Sequence, residues 1–332
     1  MVRRWAQYFG LTLGLVATVA FVIYAVRTLH GQDLSRYLSI AAIIGIAVAA
    51  IGYSLIIPLS ALAWRRLLAD MAVNKSWSEL CIIMSVTQLA KYIPGNVGQH
   101  VSRAAMSVSR GIPLRPYGIS VLSEMVLAAI AASITGLLGC GLSGMSGKLL
   151  KTHGATALTF AAILASVFVL VLVIARRILP RLLRRLASGQ QPSDQQVVLP
   201  SNGALAYALS VYVLNYVVFG TGITAMVILL LPGQPAQWLL LTGCFALAWV
   251  VGFFAPGAPA GMGVREGLML GLLQFSYSQP DALLIVIALR IATTMGDVLC
   301  FAVGATVNFL PSRQPCADAR TSNHVNGNDH ET

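Results

Sequence analysis

The stretch Lys91-Tyr92-Ile93-Pro94-Gly95-Asn96-Val97-Gly98 closes an apolar piece at residues 77–93 and opens a second at 97–109, which carries Arg103. Further along, Phe254-Ala255-Pro256-Gly257 closes the apolar piece 236–254 ahead of another at 263–275, which carries Arg265. Proline lacks an amide hydrogen and pushes the residue before it out of the helical region, so helix continuity should fail at both places. Each stretch therefore predicts a helix, a break and a half-helix. A bilayer core about 30 Å thick takes about 20 helical residues to cross, and the pieces after the breaks are too short to do so. Paired with the pieces before them, they form hairpins that enter the bilayer and return on the same side. Irregular backbone survives at that depth only where protein buries it or where it lines a wet cavity. Eight full spans with both breaks at the surface is the alternative, and apolar pieces of 17 and 19 residues permit it.

Composition places both stretches in a membrane. Of 332 residues, 57% are hydrophobic and only 10% are charged, against roughly 25% charged in soluble domains. Mean hydropathy is +0.78. Six segments are long enough to span, at 7–28, 37–64, 117–142, 155–175, 204–231 and 281–310. The first follows Arg3 and Arg4 like a signal peptide, but its apolar run exceeds a typical signal core. The expected fold class is an all-α polytopic membrane protein with six spanning helices and two re-entrant broken hairpins, or eight spans. Net charge is +11, which in this setting fits cytoplasmic loops and anionic lipid rather than nucleic acid. Cys81, Cys140, Cys244, Cys300 and Cys316 form no CxxC motif and pair with no histidine, so neither a disulfide framework nor a metal site is expected. Nothing calls for a cofactor.

Lysine and arginine set the sidedness, because short cytoplasmic loops collect them. With the N-terminus inside and two re-entrant hairpins, the inner face receives Arg3, Arg4, Arg65, Arg66, Lys75, Arg110, Arg115, the cluster Arg176 to Arg185, Arg313 and Arg320. The outer face receives only Arg27, Arg36, Lys148 and Lys151. Both termini are thus expected in the cytoplasm, with the protein in a bacterial inner membrane.

Pro94 and Pro256 lie 162 residues apart, as do Tyr92 and Phe254, and Arg103 and Arg265. The same offset carries 37–64 and 117–142 close to 204–231 and 281–310. The transmembrane domain, 1–310, then reads as two inverted halves at about 37–148 and 200–310. The third Pro-Gly pair, Pro232-Gly233, reads as a loop turn, and the few identities leave chance coincidence open. Segment 176–203 joins the halves, its basic part reading as a surface helix or as a stop signal and its remainder as a polar linker. Residues 311–332 have almost nothing apolar to bury and are expected to be disordered.

Ionisable side chains within a membrane are few and face protein, water or one another. Here they are Lys91, His100, Arg103, Glu124, Arg265, Glu266, Arg290 and Asp297. A half-helix starting at depth exposes unpaired amide hydrogens that attract anions, and an arginine nearby adds a fork of donors suited to phosphate. Two such loops facing each other predict a cationic, glycine-lined pocket for a lipid phosphate near the midplane. The competing expectation is that Arg103 and Arg265 merely pair with carboxylates, Glu124 being the best partner for Arg103. Glu266 points about 100° from its neighbour Arg265 and pairs poorly with it. Arg290 and Asp297 read as ties to other helices. His100 reads as a proton carrier or simply as hydrogen-bonded. Asn96 and Gln99 are candidates to orient a headgroup, while Gly98, Gly261 and Gly263 allow close approach of a ligand or of a helix. No nucleophile elbow, P-loop or HExxH motif occurs, so no enzyme activity is expected.

The residues Lys91 to Gly98 with Arg103, and Ala255-Pro256-Gly257 through Gly261-Met262-Gly263-Val264-Arg265-Glu266-Gly267, resemble the lysylphosphatidylglycerol synthase transmembrane-region family over roughly residues 7–310. Pro94, Gly95, Gly98 and Arg103 match its first motif, and Pro256, Gly257, Gly263, Arg265, Glu266 and Gly267 its second. The second turn departs from the usual Pro-Gly-Gly form in running Pro256-Gly257-Ala258-Pro259-Ala260-Gly261. The resemblance implies a flippase-like protein that moves or presents an anionic phospholipid or polyprenyl-phosphate-type lipid. It does not extend to the family's aminoacyl-transfer domain, so lipid synthesis is not expected. The expected lipid-binding set is Lys91, Pro94, Gly95, Gly98, Arg103, Glu124, Pro256, Gly257, Gly263, Arg265 and Glu266. A non-transporting partner that presents a lipid-linked substrate to a glycosyltransferase or synthase is the alternative.

Overall fold

The computed structural model describes residues 39–92, 98–143, 199–255 and 261–309, together with Ile23, Arg27, Thr28 and Arg181. Most of the expected span 7–28, the expected span 155–175, most of 176–203, the tail from 311, and Pro94, Gly95, Pro256 and Gly257 lie outside the described residues. Every element described is helical. In chain order they are α1 (Ile40–Ser54), α2 (Ile56–Ala69), α3 (Trp77–Val86), a 3-10 turn (Gln88–Tyr92), α4 (Gly98–Ser109) and α5 (Leu114–Leu142). After the central gap come α6 (Asn202–Leu230), α7 (Trp238–Phe254), α8 (Val264–Leu273) and α9 (Gln279–Phe309).

Four of these are long and apolar enough to cross a membrane: Ile40–Ala69, Leu114–Leu142, Asn202–Leu230 and Gln279–Phe309. They fall where 37–64, 117–142, 204–231 and 281–310 were expected. Serine begins two of them, Ser39 accepting from the Ala42 amide at 3.1 Å and Ser201 from that of Ala204 at 3.2 Å. These are N-caps that occupy otherwise orphaned donors. The first span is interrupted at Leu55, between α1 and α2, where Pro58 has no N–H for the carbonyl four residues back, that of Ser54. The Cys300 thiol of α9 stands 3.5 Å from that carbonyl and donates to it instead.

The elements differ from the expected hairpin pattern in one place. The helix before Pro94 ends at Val86, and a 3-10 turn carries the chain to Tyr92. Thr87 turns its hydroxyl back on the Ile83 carbonyl at 2.8 Å, a bond that competes with regular helix. Side chains three apart eclipse in a 3-10 turn, which puts Gln88 and Lys91 side by side facing α9. By contrast, α7 runs unbroken to Phe254.

Within a bilayer helices associate by close packing, and small residues let backbones meet. The span α1–α2 lies along α6, α5 packs on α7, and α9 packs on α1 and α3. A β-carbon on Gly52 would come within 3.6 Å of Gly222 Cα, and one on Gly139 within 2.9 Å of Gly243 Cα. One on Gly304 would stand 2.4 Å from Ser85 Cβ. The larger apolar core joins α1, α5, α6, α7 and α9 around Phe219, Leu241 and Ile285. A smaller one joins α2, α3 and α5 around Trp64, Leu80 and Ile119.

Candidate functional site

Between the helices lies a cavity of about 620 Å³. The four long spans meet it near their middles, through Tyr53 and Ser60, Glu124 and Ala128, Tyr212 and Asn215, and Arg290 and Asp297. The 3-10 turn, α4, α7 and α8 close the rest through Lys91, His100, Trp249 and Arg265. Its volume lies within the range of about 300–1,000 Å³ common to small-molecule sites.

Three ion pairs stand in or beside its wall. Arg103, 3% exposed, grips Glu124 with both terminal nitrogens, at 3.1 and 2.8 Å. Its guanidinium lies 3.9 Å from the centre of the Trp64 ring, whose indole nitrogen donates to Ser120 at 2.9 Å. The half-helix α4 is fixed to α5 again where the Tyr117 hydroxyl donates to the His100 carbonyl at 2.8 Å.

The second pair is Lys91 with Asp297, at 2.6 Å. Lys91 also donates to the Tyr53 hydroxyl at 3.1 Å. Asp297, 1% exposed, accepts in addition from Gln88 at 2.9 Å and from the Tyr92 hydroxyl at 2.6 Å. Gln99 extends the network by donating to Gln88 at 3.0 Å. The 3-10 turn makes this possible by turning Gln88 and Lys91 to one side.

The third pair is Arg290 with Glu266, at 3.2 Å. Glu266 is the third residue of α8 and also accepts from the Gly263 amide at 2.6 Å, so its carboxylate caps the half-helix. Gly263 has φ +81° and Gly261 φ +71°, conformations that favour glycine. At Gly261 a β-carbon would also come within 3.0 Å of the Gly252 carbonyl oxygen, so the chain turns hard against α7.

Arg265 stands apart. It is the second residue of α8, its guanidinium rests 4.5 Å from the centre of the Phe245 ring, and its Nη2 is buried with no hydrogen-bond partner. Among the described residues no carboxylate lies within ion-pairing distance of it. Lys91, Arg103, Arg265 and Arg290 therefore face Glu124, Glu266 and Asp297, four positive groups against three negative, and the excess sits on Arg265.

Of the expected set, the structure brings Lys91, Arg103, Glu124 and Arg265 to one cavity. Glu266 stands behind Arg290, Gly263 shapes the start of α8, and Gly98 begins α4 without lining the cavity. The aromatic and amide groups of α6 and α7 were missed: Tyr212, Asn215, Tyr216, Phe245 and Trp249. A signal was present, since Tyr212, Asn215 and Tyr216 form a polar stripe at helical spacing in an otherwise apolar span.

A family model described as lysylphosphatidylglycerol synthase TM region matches residues 11–303, most of the chain. No curated protein matches it.

Proposed function

Because this integral membrane protein belongs to the lysylphosphatidylglycerol synthase TM region family, a lipid-related family, we propose that it is a flippase that carries the phosphate of an anionic lipid through the cavity between its broken hairpins. The observation that carries this reading is Arg265, a guanidinium without a carboxylate on the wall of a cavity at mid-span. An unpaired charge at bilayer depth is expensive, and an anionic guest offsets it. The first amides of α8, at Val264, Arg265 and Glu266, have no carbonyl four residues back within the helix. They add positive potential on the same side. Lipid tails remain in hydrocarbon during crossing, so only the headgroup needs shelter, and 620 Å³ is ample for it.

Architecture supports the same reading. Adding 162 to the bounds 40–69, 77–92, 98–109 and 114–142 gives 202–231, 239–254, 260–271 and 276–304, against 202–230, 238–254, 264–273 and 279–309 for the second set of elements. Packing follows that correspondence: α5 lies on α7 as α9 lies on α3, and α1 touches α9 as α6 touches α5. With 155–175 as a further span, three crossings separate the starts of the two sets, which makes the second an inverted copy. Tyr92 beside the first break bonds Asp297, and Glu266 in the first turn of α8 pairs with Arg290, both contacts falling near the middle of α9; these contacts support re-entrant hairpins. Inverted halves that rock about a midplane site expose it to each leaflet in turn. We place the protein in a bacterial inner membrane with both termini cytoplasmic, moving lipid rather than converting it.

Proteoliposomes holding a tail-labelled fluorescent phosphatidylglycerol test this through the fraction of label that dithionite reaches. Protein-free vesicles plateau near one half, and the protein is expected to drive the reduction towards completion. A plateau unmoved by protein rejects transport, and a lipid that nevertheless co-purifies then identifies a presenting partner for a glycosyltransferase or synthase.

A further inference from the structure

We propose that the cavity selects a lipid phosphodiester whose head group is an uncharged polyol, and that it disfavours one bearing an ammonium. This rests on the lipid-binding reading above and adds the chemistry of the head group.

The first ground is the use already made, among the described residues, of every carboxylate in or beside the cavity wall. Both Glu124 oxygens take Arg103. Asp297 takes Lys91 and Gln88 on one oxygen and Tyr92 on the other. Glu266 takes Arg290 and the Gly263 amide. The two stretches outside the described residues at 93–97 and 256–260 contain no Asp or Glu. An amine on the guest would find no free anion, and would bring a fifth cation to a wall already one positive charge in excess. A phosphodiester with an uncharged head balances that excess with its single negative charge.

The second ground is the set of polar atoms left over. Among the described residues eight buried side-chain nitrogen or oxygen atoms lack a hydrogen-bond partner, and five belong to residues lining this cavity: His100, Arg103, Tyr212, Asn215 and Arg265. Such atoms are costly in a protein interior, and their concentration here points to a guest that completes them. Tyr212 and Asn215 are 4% and 6% exposed and stand one turn apart on α6. Asn215 donates to Ser60 at 3.0 Å through its Nδ2, which leaves its Oδ1 as an acceptor only. The Tyr212 hydroxyl both donates and accepts. A hydroxyl of glycerol or of a sugar donates to the first and exchanges a hydrogen bond with the second, whereas an ammonium gains nothing from the phenol's donor.

Native mass spectrometry of the delipidated full chain reads this directly. The protein is offered an equimolar, tail-matched mixture of phosphatidylglycerol, phosphatidylethanolamine, lysylphosphatidylglycerol and phosphatidic acid. Phosphatidylglycerol is expected to be retained about fivefold over each lipid in the mixture, the worth of one net hydrogen bond. Tyr212→Phe, and separately Asn215→Leu, should bring phosphatidylglycerol towards parity with phosphatidic acid, which has no head group to contact them. Soluble glycerol 3-phosphate at equal concentration should displace none of it, and displacement would assign the site to a free phosphate ester. Retention of either amine-bearing lipid at the level of phosphatidylglycerol overturns the inference, and so does an unchanged preference over phosphatidic acid in both variants. Selective retention together with an unmoved dithionite plateau leaves the inference standing and removes the flippase. Retention of none of the four lipids overturns both.

Discussion

Arg103 and Arg265 hold matching places in two similar stretches of sequence, yet their surroundings give them different roles. Arg103 is held by two hydrogen bonds to Glu124 and by the Trp64 ring, so removing it leaves a carboxylate uncompensated at depth. Arg103→Gln is expected to destabilise the protein by about 3–5 kcal/mol. Thermal unfolding in detergent reads this as a large drop in Tm, and adding Glu124→Gln should restore most of it. Arg265 loses no ion pair when replaced, so Arg265→Gln should unfold within about 2 °C of the parent or slightly above it. A drop in Tm as large as that of Arg103→Gln would show that Arg265 is structural. The sequence made both arginines and Glu124 candidates, because charges inside apolar runs stand out. Which arginine keeps a free face was hidden, since it depends on Glu266 turning away to Arg290 on another helix.

At the level of elements, the four long helices described were legible because stretches of twenty or more predominantly apolar residues allow little else. The end of α7 at Phe254 and the half-helix starting at Val264 lie where they were expected. The 3-10 turn was not legible, for Thr87-Gln88-Leu89-Ala90 contains no helix breaker. The turn goes with contacts distant in sequence, Gln88, Lys91 and Tyr92 all bonding Asp297, which no local pattern announces. Helix crossings were hidden too, since a glycine within a span marks a contact only when its neighbour is known. On α5, a β-carbon at Gly139 would stand 2.6 Å from the Leu239 carbonyl oxygen, whereas one at Gly118 would meet nothing within 4 Å. Gly139→Ala is therefore expected to cost about 1–3 kcal/mol, while Gly118→Ala should be neutral or gain up to about 1 kcal/mol. Equal melting temperatures for the two variants would contradict the packing of α5 on α7.

At the scale of the whole molecule, the offset of 162 residues was visible in the sequence as a few repeated residues, and the proposal of two related sets of helices rests on it. Proposed as inverted halves, they put the loop before α3 inside and the turn after α6 outside. In a background without native cysteines, Gln234→Cys should react with an impermeant maleimide in intact spheroplasts. Asn74→Cys should react only after permeabilisation, and labelling of both from the same side would undo the inversion. The proposed function joins all three scales at one charge. The most direct test compares initial rates of phosphatidylglycerol scrambling for the parent and Arg265→Gln, reconstituted at equal density and shown to unfold at the same temperature. A fall of at least about tenfold, the worth of roughly 1.4 kcal/mol in the rate-limiting step, is expected if Arg265 receives the lipid phosphate. Equal rates from two equally stable proteins would contradict it.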